Sequence, residues 1–316
     1  MERSIFSTCV SGCLRAKSIF QDVKARVTGK KAAPVEPPSL GRPVRLPYGP
    51  FRFHTQVPKD LDYEIEATTN LKNWRSIFSD SSNGEIDFVD PEASKFSYRF
   101  YRLNVKGIYS TNIIGYATIT LPPGFSAIAN PLSGAGDTVA ELFKAMPDGT
   151  ALSKFENQAY RCTQNGIEGG KWTNPTEKLS LGEGALLFNP TSDYKHMSFV
   201  GSVNQSSCST PIPAGFSMRS SVFPQPGRLD TELGFPIGDG DVIHLLDADR
   251  QKYVVYPYEG SAWVREAPVV GVGESFWVAK KAASNWLQHF SMTPAIPQPA
   301  MAGGETEQPL HKKGEP

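Results

Sequence analysis

Apolar and polar residues alternate along the chain from residue 51, with the two-residue period that is typical of β-strands. The alternating apolar positions include Phe51, Phe53, Tyr63, Ile65, Ile86, Phe88, Tyr98 and Phe100. Turn-forming runs such as SSNG at 81–84 separate them. About seven short strands fit between residues 51 and 119, with Trp74 in their core, and this predicts a small β-sandwich.

The chain also repeats itself at an offset of 91 residues. PPGFS at 122–126 recurs as PAGFS at 213–217, and LGEG at 181–184 recurs as VGES at 272–275. Further matches are Trp172 with Trp263 and Phe199 with Phe290. Turn residues and large apolar anchors dominate the shared positions, so the duplicated feature is a backbone framework. Each copy is expected to hold about five or six strands, and the copies are expected to superpose with no insertion.

The predicted fold is all-β, with a fibronectin- or immunoglobulin-like sandwich followed by two tandem, homologous small β-barrel or sandwich repeats. The predicted segments are a basic segment with helical periodicity at 1–31, a Pro-rich linker at 32–50, a fibronectin III-like sandwich at 51–119, repeat 1 at 120–205, repeat 2 at 206–293 and a disordered tail at 294–316. The linker is expected to be extended and to leave residues 1–45 with little packing. A helix is expected at 138–146, with Asp137 as its N-cap.

Composition and charge narrow the class of protein. The 32 basic and 32 acidic residues cancel, so no overall field attracts nucleic acid or an anionic membrane. No run of about 18 apolar residues occurs, so no transmembrane segment is expected. The placement of the four cysteines argues against a shared disulfide framework. A bridge between Cys162 and Cys208 stays open beside the simpler expectation of free thiols.

The sequence lacks the motifs of the common catalytic classes. HExxH, GxSxG, Walker A and GxGxxG are absent, and the five histidines have no metal-ligand spacing. No catalytic residue, metal ligand or cofactor is therefore predicted. The best acidic cluster lies at 239–249 and is interpreted as a solvated turn, with a weak Ca²⁺ site or a catalytic dyad as alternatives. In a strand, Asp241 and His244 would lie on opposite faces.

Glu183 and Glu274 recur in the same Gly-Glu frame of the two repeats. A carboxylate at this position can act as a general acid, but at the entry to a strand it also accepts backbone N–H groups and fixes a turn. The structural role is favoured, because equivalent glutamates on separate repeats would lie too far apart to form a carboxylate pair.

Trp172, Trp263 and the neighbouring Tyr258 are the candidate ligand-binding residues. Each tryptophan follows a glycine-containing loop, where an exposed indole would stack on the face of a sugar. The competing interpretation is that both indoles are buried in the cores of the repeats. The retention of tryptophan in both copies favours burial.

Several segments resemble two modules of large secreted proteins from verrucomicrobial-type bacteria. IEATTNLKNW at 65–74, DFVDP at 87–91 and YRFYRL at 98–103 resemble a fibronectin type III-like module; GFS at 124–126, ANPL at 129–132, LGEG at 181–184 and FNP at 188–190 resemble paired terminal repeats. The resemblance covers about residues 50–292 and implies an extracellular or cell-surface location. Residues 10–13 have the small-residue pattern of a lipoprotein cleavage site, but the apolar run before them is short for a signal peptide, so a cytoplasmic location stays open.

These observations together favour a non-enzymatic binding or scaffolding protein of the bacterial cell envelope or exterior, with a polysaccharide or a surface protein as its partner. The alternative is a hydrolase with an unrecognised active site in or between the repeats, for example with Asp241 or His244 in a cleft between them. The enzyme is expected to show a deep cleft with converging titratable groups, whereas the binding protein is expected to show shallow or aromatic surfaces.

Overall fold

The computed structural model describes residues 36–45, 49–134, 136–156 and 161–290. Strands and turns dominate this part of the chain, and the prediction of an all-β fold is confirmed. In the described residues, helical structure is restricted to a 3₁₀ turn at Pro91–Lys95 and a single α-helical turn, α1, at Val139–Leu142. None of the described helices is long and apolar enough to cross a membrane.

In the described part of the chain, eight strands precede the first repeat. They are β1 Gly41–Arg45, β2 Phe51–Gln56, β3 Asp62–Thr68, β4 Arg75–Ser81, β5 Glu85–Asp90, β6 Tyr98–Val105, β7 Ile108–Tyr109 and β8 Ile114–Leu121. One sheet has the order β1-β2-β5, and the other contains β8-β6-β3-β4, with β7 paired to β6. Rings from the two sheets meet between them: Phe51 of β2 stacks on Tyr101 of β6 with centroids 4.7 Å apart. This contact explains why the alternating aromatic positions are buried.

A buried polar network closes one end of this sandwich. The carboxylate of Asp90 receives hydrogen bonds from Arg99 at 2.8 Å and from the Tyr101 hydroxyl at 2.7 Å. Its other oxygen accepts the backbone N–H of Glu92 and so caps the 3₁₀ turn. Burial, followed by the charge of Asp90, raises the pKa of Tyr101 above its usual range. The Asp90-Pro91 sequence therefore begins the 3₁₀ turn.

The Pro-rich segment 32–50 is not an extended linker throughout. Residues 41–45 form β1, which pairs with β2, and Leu40 is buried. Arg42 has a φ of 52°, and the β1–β2 register shifts there. The segment can join the sheet because β1 is an edge strand, where Pro43 removes no required ladder donor. The expectation that residues 1–45 pack little is thus wrong for residues 36–45, while residues 1–35 lie outside the described chain.

Repeat 1 contains β9 Gly124–Ile128, α1, β10 Ala151–Glu156, β11 Arg161–Glu168, β12 Lys171–Trp172, β13 Ala185–Asn189 and β14 Lys195–Ser202. Repeat 2 follows with β15 Cys208–Ile212, β16 Gly215–Arg219, β17 Gly227–Arg228, β18 Val242–Asp247, β19 Lys252–Glu259, β20 Ala262–Trp263, β21 Val269–Val270, β22 Phe276–Lys280 and β23 Ser284–Gln288. Their main sheets have the equivalent orders β12-β11-β10-β13-β9 and β20-β19-β18-β22-β16. Neither of these described sheets closes into a barrel.

The 91-residue offset holds for all five strands of these sheets but not for the last hairpin. Lys195 of β14 pairs with Leu121, whereas Ser284 of β23 pairs with Ile212 after a turn that is two residues shorter. The match of Phe199 with Phe290 is therefore wrong, and Gln288 occupies the equivalent position. An even change in length keeps each side chain on its original face, so the core tolerates it.

The sandwich and repeat 1 share a sheet and a core. Strand β8 pairs with β6 on one side and with β14 of repeat 1 on the other. Phe100 of the sandwich and Phe199 of repeat 1 belong to one cluster of buried residues. The predicted boundary between residues 119 and 120 falls inside β8.

The helix in repeat 1 is shorter than the predicted 138–146. Its N-cap is Thr138, not Asp137, and the Thr138 hydroxyl donates to Glu141 at 2.6 Å. Asp137 instead forms an ion pair with Lys178 at 3.1 Å. Phe143, just beyond α1, packs with Trp172 and Phe199 in the core. The apolar residues of this segment therefore serve packing more than helix extension.

Candidate functional site

The two repeats join through an interface with approximate twofold symmetry. Ile128 of repeat 1 forms a β-bridge with Glu274 of repeat 2, and Glu183 of repeat 1 forms one with Arg219 of repeat 2. The 91-residue offset relates Ile128 to Arg219 and Glu183 to Glu274, so each bridge is the copy of the other. Two further hydrogen bonds follow the same rule: Ala129 N to Gly273 O at 2.8 Å, and Ser220 N to Gly182 O at 3.1 Å.

The repeated Gly-Glu motif builds this interface. Gly182 and Gly273 have φ angles of 82° and 79°, which favour glycine. The carboxylate of Glu183 accepts Ser180 N at 2.9 Å, and that of Glu274 accepts Gly271 N at 2.8 Å. The structural interpretation of the two glutamates is confirmed, because each fixes the turn that carries its own glycine.

One half of the interface opens into a groove of about 730 Å³, called the interface groove below. Its lining includes Lys154, Phe155, Glu183, Gly184, Thr210, Met218, Arg219, Ser284 and Asn285. In the other half, Ile119 of β8 lies against Gly273. A Cβ added to Gly273 would be 2.9 Å from the Cγ2 methyl carbon of Ile119. The residue equivalent to Ile119 is Thr210, whose side chain lines the groove.

Three charged side chains lie in the interface groove. The ammonium group of Lys154 donates to Lys178 O at 2.8 Å and pairs with Glu183 at 2.9 Å. The guanidinium of Arg219 donates to Met218 O at 2.7 Å and to Pro211 O at 3.3 Å. Burial lowers the pKa of Arg219, and the charge of Glu183 opposes that shift. The charges of Lys154 and Glu183 offset each other, while Arg219 is held by carbonyl groups.

Next to the groove, repeat 2 presents an aromatic strip on the outer face of its main sheet. The strip is defined as Phe216, His244, Tyr253 and Trp277, from strands β16, β18, β19 and β22. Phe216 is 47% exposed and Tyr253 is 43% exposed, while His244 and Trp277 are half-buried. The Trp277 indole N–H donates to the Tyr253 hydroxyl at 3.2 Å, and the rings of Phe216 and His244 lie 5.8 Å apart.

Most of the strip is specific to repeat 2. The offset places Phe125 at the position of Phe216, but Ser153, Cys162 and Leu186 at the positions of His244, Tyr253 and Trp277. Phe125 is also held differently, because the Gln251 carboxamide hydrogen-bonds both its N–H and its C=O at 2.8 Å. The aromatic surface was therefore built on one copy of a shared framework.

Trp172, a predicted ligand-binding residue, lies in the core of repeat 1. It is 7% exposed, and its ring packs 5.9 Å from that of Phe143. Its indole N–H is buried and has no partner among the described residues. Trp172 offers no face for stacking, so the prediction of an exposed platform does not hold at this position.

Trp263 and Tyr258 lie together, far along the sequence from Trp172. Their rings meet edge to face at 5.2 Å, and the Trp263 indole N–H donates to Asp230 at 2.8 Å. Burial raises the pKa of Asp230, but the hydrogen bond from Trp263 and others outweigh it, so the net pKa is lowered. Trp263 packs against the repeat 2 core. The equivalent tryptophans thus do not form one common binding surface.

The acidic cluster at 239–249 does not converge on one site. Asp241 is buried in an ion pair with Lys280, and its other oxygen accepts Lys281 N at 2.7 Å. Asp247 pairs with Arg250 in a hairpin turn. His244 points to the opposite side of β18 and contacts Phe216, as the alternation predicted. Within the described residues, no group of three or more His, Cys, Asp or Glu side chains could hold a metal.

Cys208 has a free thiol, so a bridge to Cys162 is not formed. The Asn204 amide donates to its sulfur at 2.9 Å.

Comparison with protein-family models and with curated proteins gave no match to this chain.

Proposed function

We propose that the chain is a non-enzymatic binding protein that holds a glycan on the aromatic strip of repeat 2. The observation that carries this proposal is the strip itself, in which exposed Phe216 and Tyr253 flank half-buried His244 and Trp277. Aromatic faces bind the apolar faces of sugar rings, while hydroxyl and ring N–H groups at their edges bind sugar hydroxyls.

The strip is ordered before any ligand arrives. The Trp277–Tyr253 hydrogen bond fixes both rings, and Phe155 of repeat 1 packs edge to face on Trp277 at 4.5 Å. A preordered surface loses less side-chain entropy on binding. This favours a binding role for the strip, because rings that merely filled a core would not be left exposed.

The setting that we propose is the bacterial cell envelope or exterior, on the basis of the resemblance to secreted verrucomicrobial-type proteins. Strand β8 of the sandwich pairs with β14 of repeat 1, and two β-bridges join repeat 1 to repeat 2. The three modules would therefore act as one scaffold that presents the strip. Trp263 and Tyr258 are a second candidate contact on the same repeat.

The test is retention on a panel of chitin, cellulose, xylan, polygalacturonate and methyl-esterified polygalacturonate. Phe216→Ala should weaken retention about fivefold, since one stacked ring contributes about 1 kcal/mol, and Tyr253→Ala should weaken it about tenfold, since the hydroxyl is also lost. The matched controls are Phe125→Ala, at the copied position in repeat 1, and Tyr194→Ala, another exposed aromatic residue.

Retention that is equal in the strip variants and the controls would refute the strip as the binding surface. A loss seen only in Tyr258→Ala would move the site to the Trp263–Tyr258 pair. Release of reducing ends from any bound polysaccharide would instead support the hydrolase alternative.

A further inference from the structure

Arg219 carries a charge that the described structure does not neutralise. Its guanidinium is half-buried in the interface groove and, among the described residues, donates to the backbone carbonyl groups of Pro211 and Met218 alone. Within the described residues it forms no ion pair, because the nearby Glu183 pairs with Lys154. Partial burial weakens the hydration of this cation, so an anionic group that enters the groove would gain a favourable interaction with it.

The interface itself does not require this charge. The equivalent position in the other half of the interface is Ile128, which forms the same β-bridge with a glutamate backbone. An aliphatic side chain at this position is therefore compatible with the β-bridge that joins the repeats. The guanidinium is an addition to the half of the interface that is open as a groove.

Neutral hydrogen-bonding groups line the same groove as Arg219. Thr210, Ser284 and Asn285 contribute to its lining. The Ser284 hydroxyl is shielded from solvent and has no partner among the described residues. A guanidinium with neighbouring hydroxyl and amide groups suits a carboxylate attached to a polyhydroxylated ring.

The groove and the aromatic strip are continuous. Phe155 lines the groove, and its ring contacts Trp277 of the strip at 4.5 Å. Met218 also lines the groove and is paired with Trp277 across the β16–β22 ladder. A single glycan strand that contacts both would pass around the end of β16, because Arg219, the last residue of β16, lies on the face opposite to Met218 and Trp277.

We infer that the interface groove binds the carboxylate of an acidic glycan, with Arg219 as its counter-charge, while neighbouring sugar rings of the same strand lie on the aromatic strip. This inference rests on the proposed function and names its ligand class, a polymer of uronic acids. Since Lys154 and Glu183 offset each other, Arg219 leaves the groove with a net positive charge that is complementary to such a strand.

The experiment compares polygalacturonate with its methyl ester, which keeps the backbone and lacks the charge. Affinities are measured by affinity gel electrophoresis for the full chain and for Arg219→Gln, Arg219→Lys and the exposed control Arg75→Gln. Wild type should prefer the acid by about tenfold or more, and this preference should shrink as salt is raised. Arg219→Gln should lose the preference, Arg219→Lys should keep part of it, and Arg75→Gln should keep all of it.

A preference for the acid that Arg219→Gln retains in full would overturn Arg219 as the counter-charge. Equal binding of acid and ester by wild type, with no effect of Arg219→Gln, would overturn the carboxylate site and leave the proposed function standing. Binding of neither these polymers nor the rest of the panel would overturn both. Galacturonate monomer binding as tightly as the polymer would overturn the continuous site, because the strip would then add nothing. Thermal melting shows whether each variant is folded. Arg219→Met provides a second neutral variant if Arg219→Gln unfolds.

Discussion

Arg219 and Ile128 occupy equivalent positions in the two halves of one pseudo-twofold interface, each bridged to the glutamate of the opposite repeat. A charged residue thus stands where its copy is aliphatic. This difference coincides with the opening of the interface groove, which Arg219 lines together with Thr210, the copy of Ile119. Duplication gave two equal halves of an interface, and side-chain divergence made them unequal.

The first prediction concerns a close approach between the repeats at Gly184. A Cβ at Gly184 would lie 2.7 Å from the Cβ of Ser275 and 2.7 Å from a side-chain carbon of Met218. Gly184→Ala should therefore destabilise the protein by about 1–3 kcal/mol, as overpacking does. Gly166→Ala is the control, since its Cβ would meet Thr150 O at an ordinary 3.6 Å. Urea unfolding measures both, and equal stability of the two variants would mean that the interface relaxes freely.

The second prediction concerns the buried ion pair of Asp241 and Lys280, whose side chains are 2% and 4% exposed. Asp241→Thr should cost about 3–5 kcal/mol, because it leaves the lysine buried without its counter-charge. The equivalent residues in repeat 1 are the neutral Thr150 and Asn189. Asp241→Thr combined with Lys280→Asn should therefore be less destabilised than Asp241→Thr alone. Additive losses in this double-mutant cycle would contradict the coupling.

The third prediction separates core from surface aromatic residues. Trp172→Ala should lower the free energy of unfolding by about 3–5 kcal/mol, because it empties a buried site beside Phe143. Tyr253→Ala should cost far less, as its ring is already 43% exposed. Chemical denaturation compares the two variants. A small loss for Trp172→Ala would argue that its indole is accessible after all.

The fourth prediction is a pH dependence of stability from the aromatic strip. Burial lowers the pKa of His244 in the folded chain below its value of about 6.5 in the unfolded chain. The unfolded chain therefore binds the proton more readily, and stability falls as the pH drops below about 6.5 until it passes the folded pKa. His244→Gln should show a smaller fall in unfolding free energy between about pH 7.5 and pH 5.5 than wild type. An identical fall in both would exclude His244 as the titrating group.

The sequence was sufficient for the fold because turns and alternation are local. The glycines at 182 and 273 need positive φ angles, so the 91-residue offset correctly placed equivalent strands on both sides of them. The shortened hairpin before Ser284 was missed, because its change in length is even and leaves the pattern of buried faces intact. Strand β1 was missed because a Pro-rich sequence has no strand pattern of its own, and β1 forms only through its pairing with β2.

The candidate site was harder to predict from the sequence. Trp172 and Trp277 are both tryptophans in strands, and only packing decides that one is buried and the other borders the surface. Tyr253 and Val255 do share one face of β19 by alternation, so an aromatic outer face was readable in principle. Which face of that sheet remains uncovered depends on how repeat 1 docks, and no local pattern encodes it. The difference between Arg219 and Ile128 could have been read from the sequence, because the 91-residue offset places a charged residue opposite an apolar one.

Tryptophan fluorescence titration with polysaccharide tests glycan binding on the strip most directly. Trp277 belongs to the aromatic strip, whereas Trp172 and Trp286 are buried. Polygalacturonate should change the emission of wild type in a saturable way, and Trp277→Phe should abolish most of that change while preserving the fold. A saturable change that survives in Trp277→Phe, or binding by another method with no change in wild-type emission, would contradict the assignment of the aromatic strip as the glycan site.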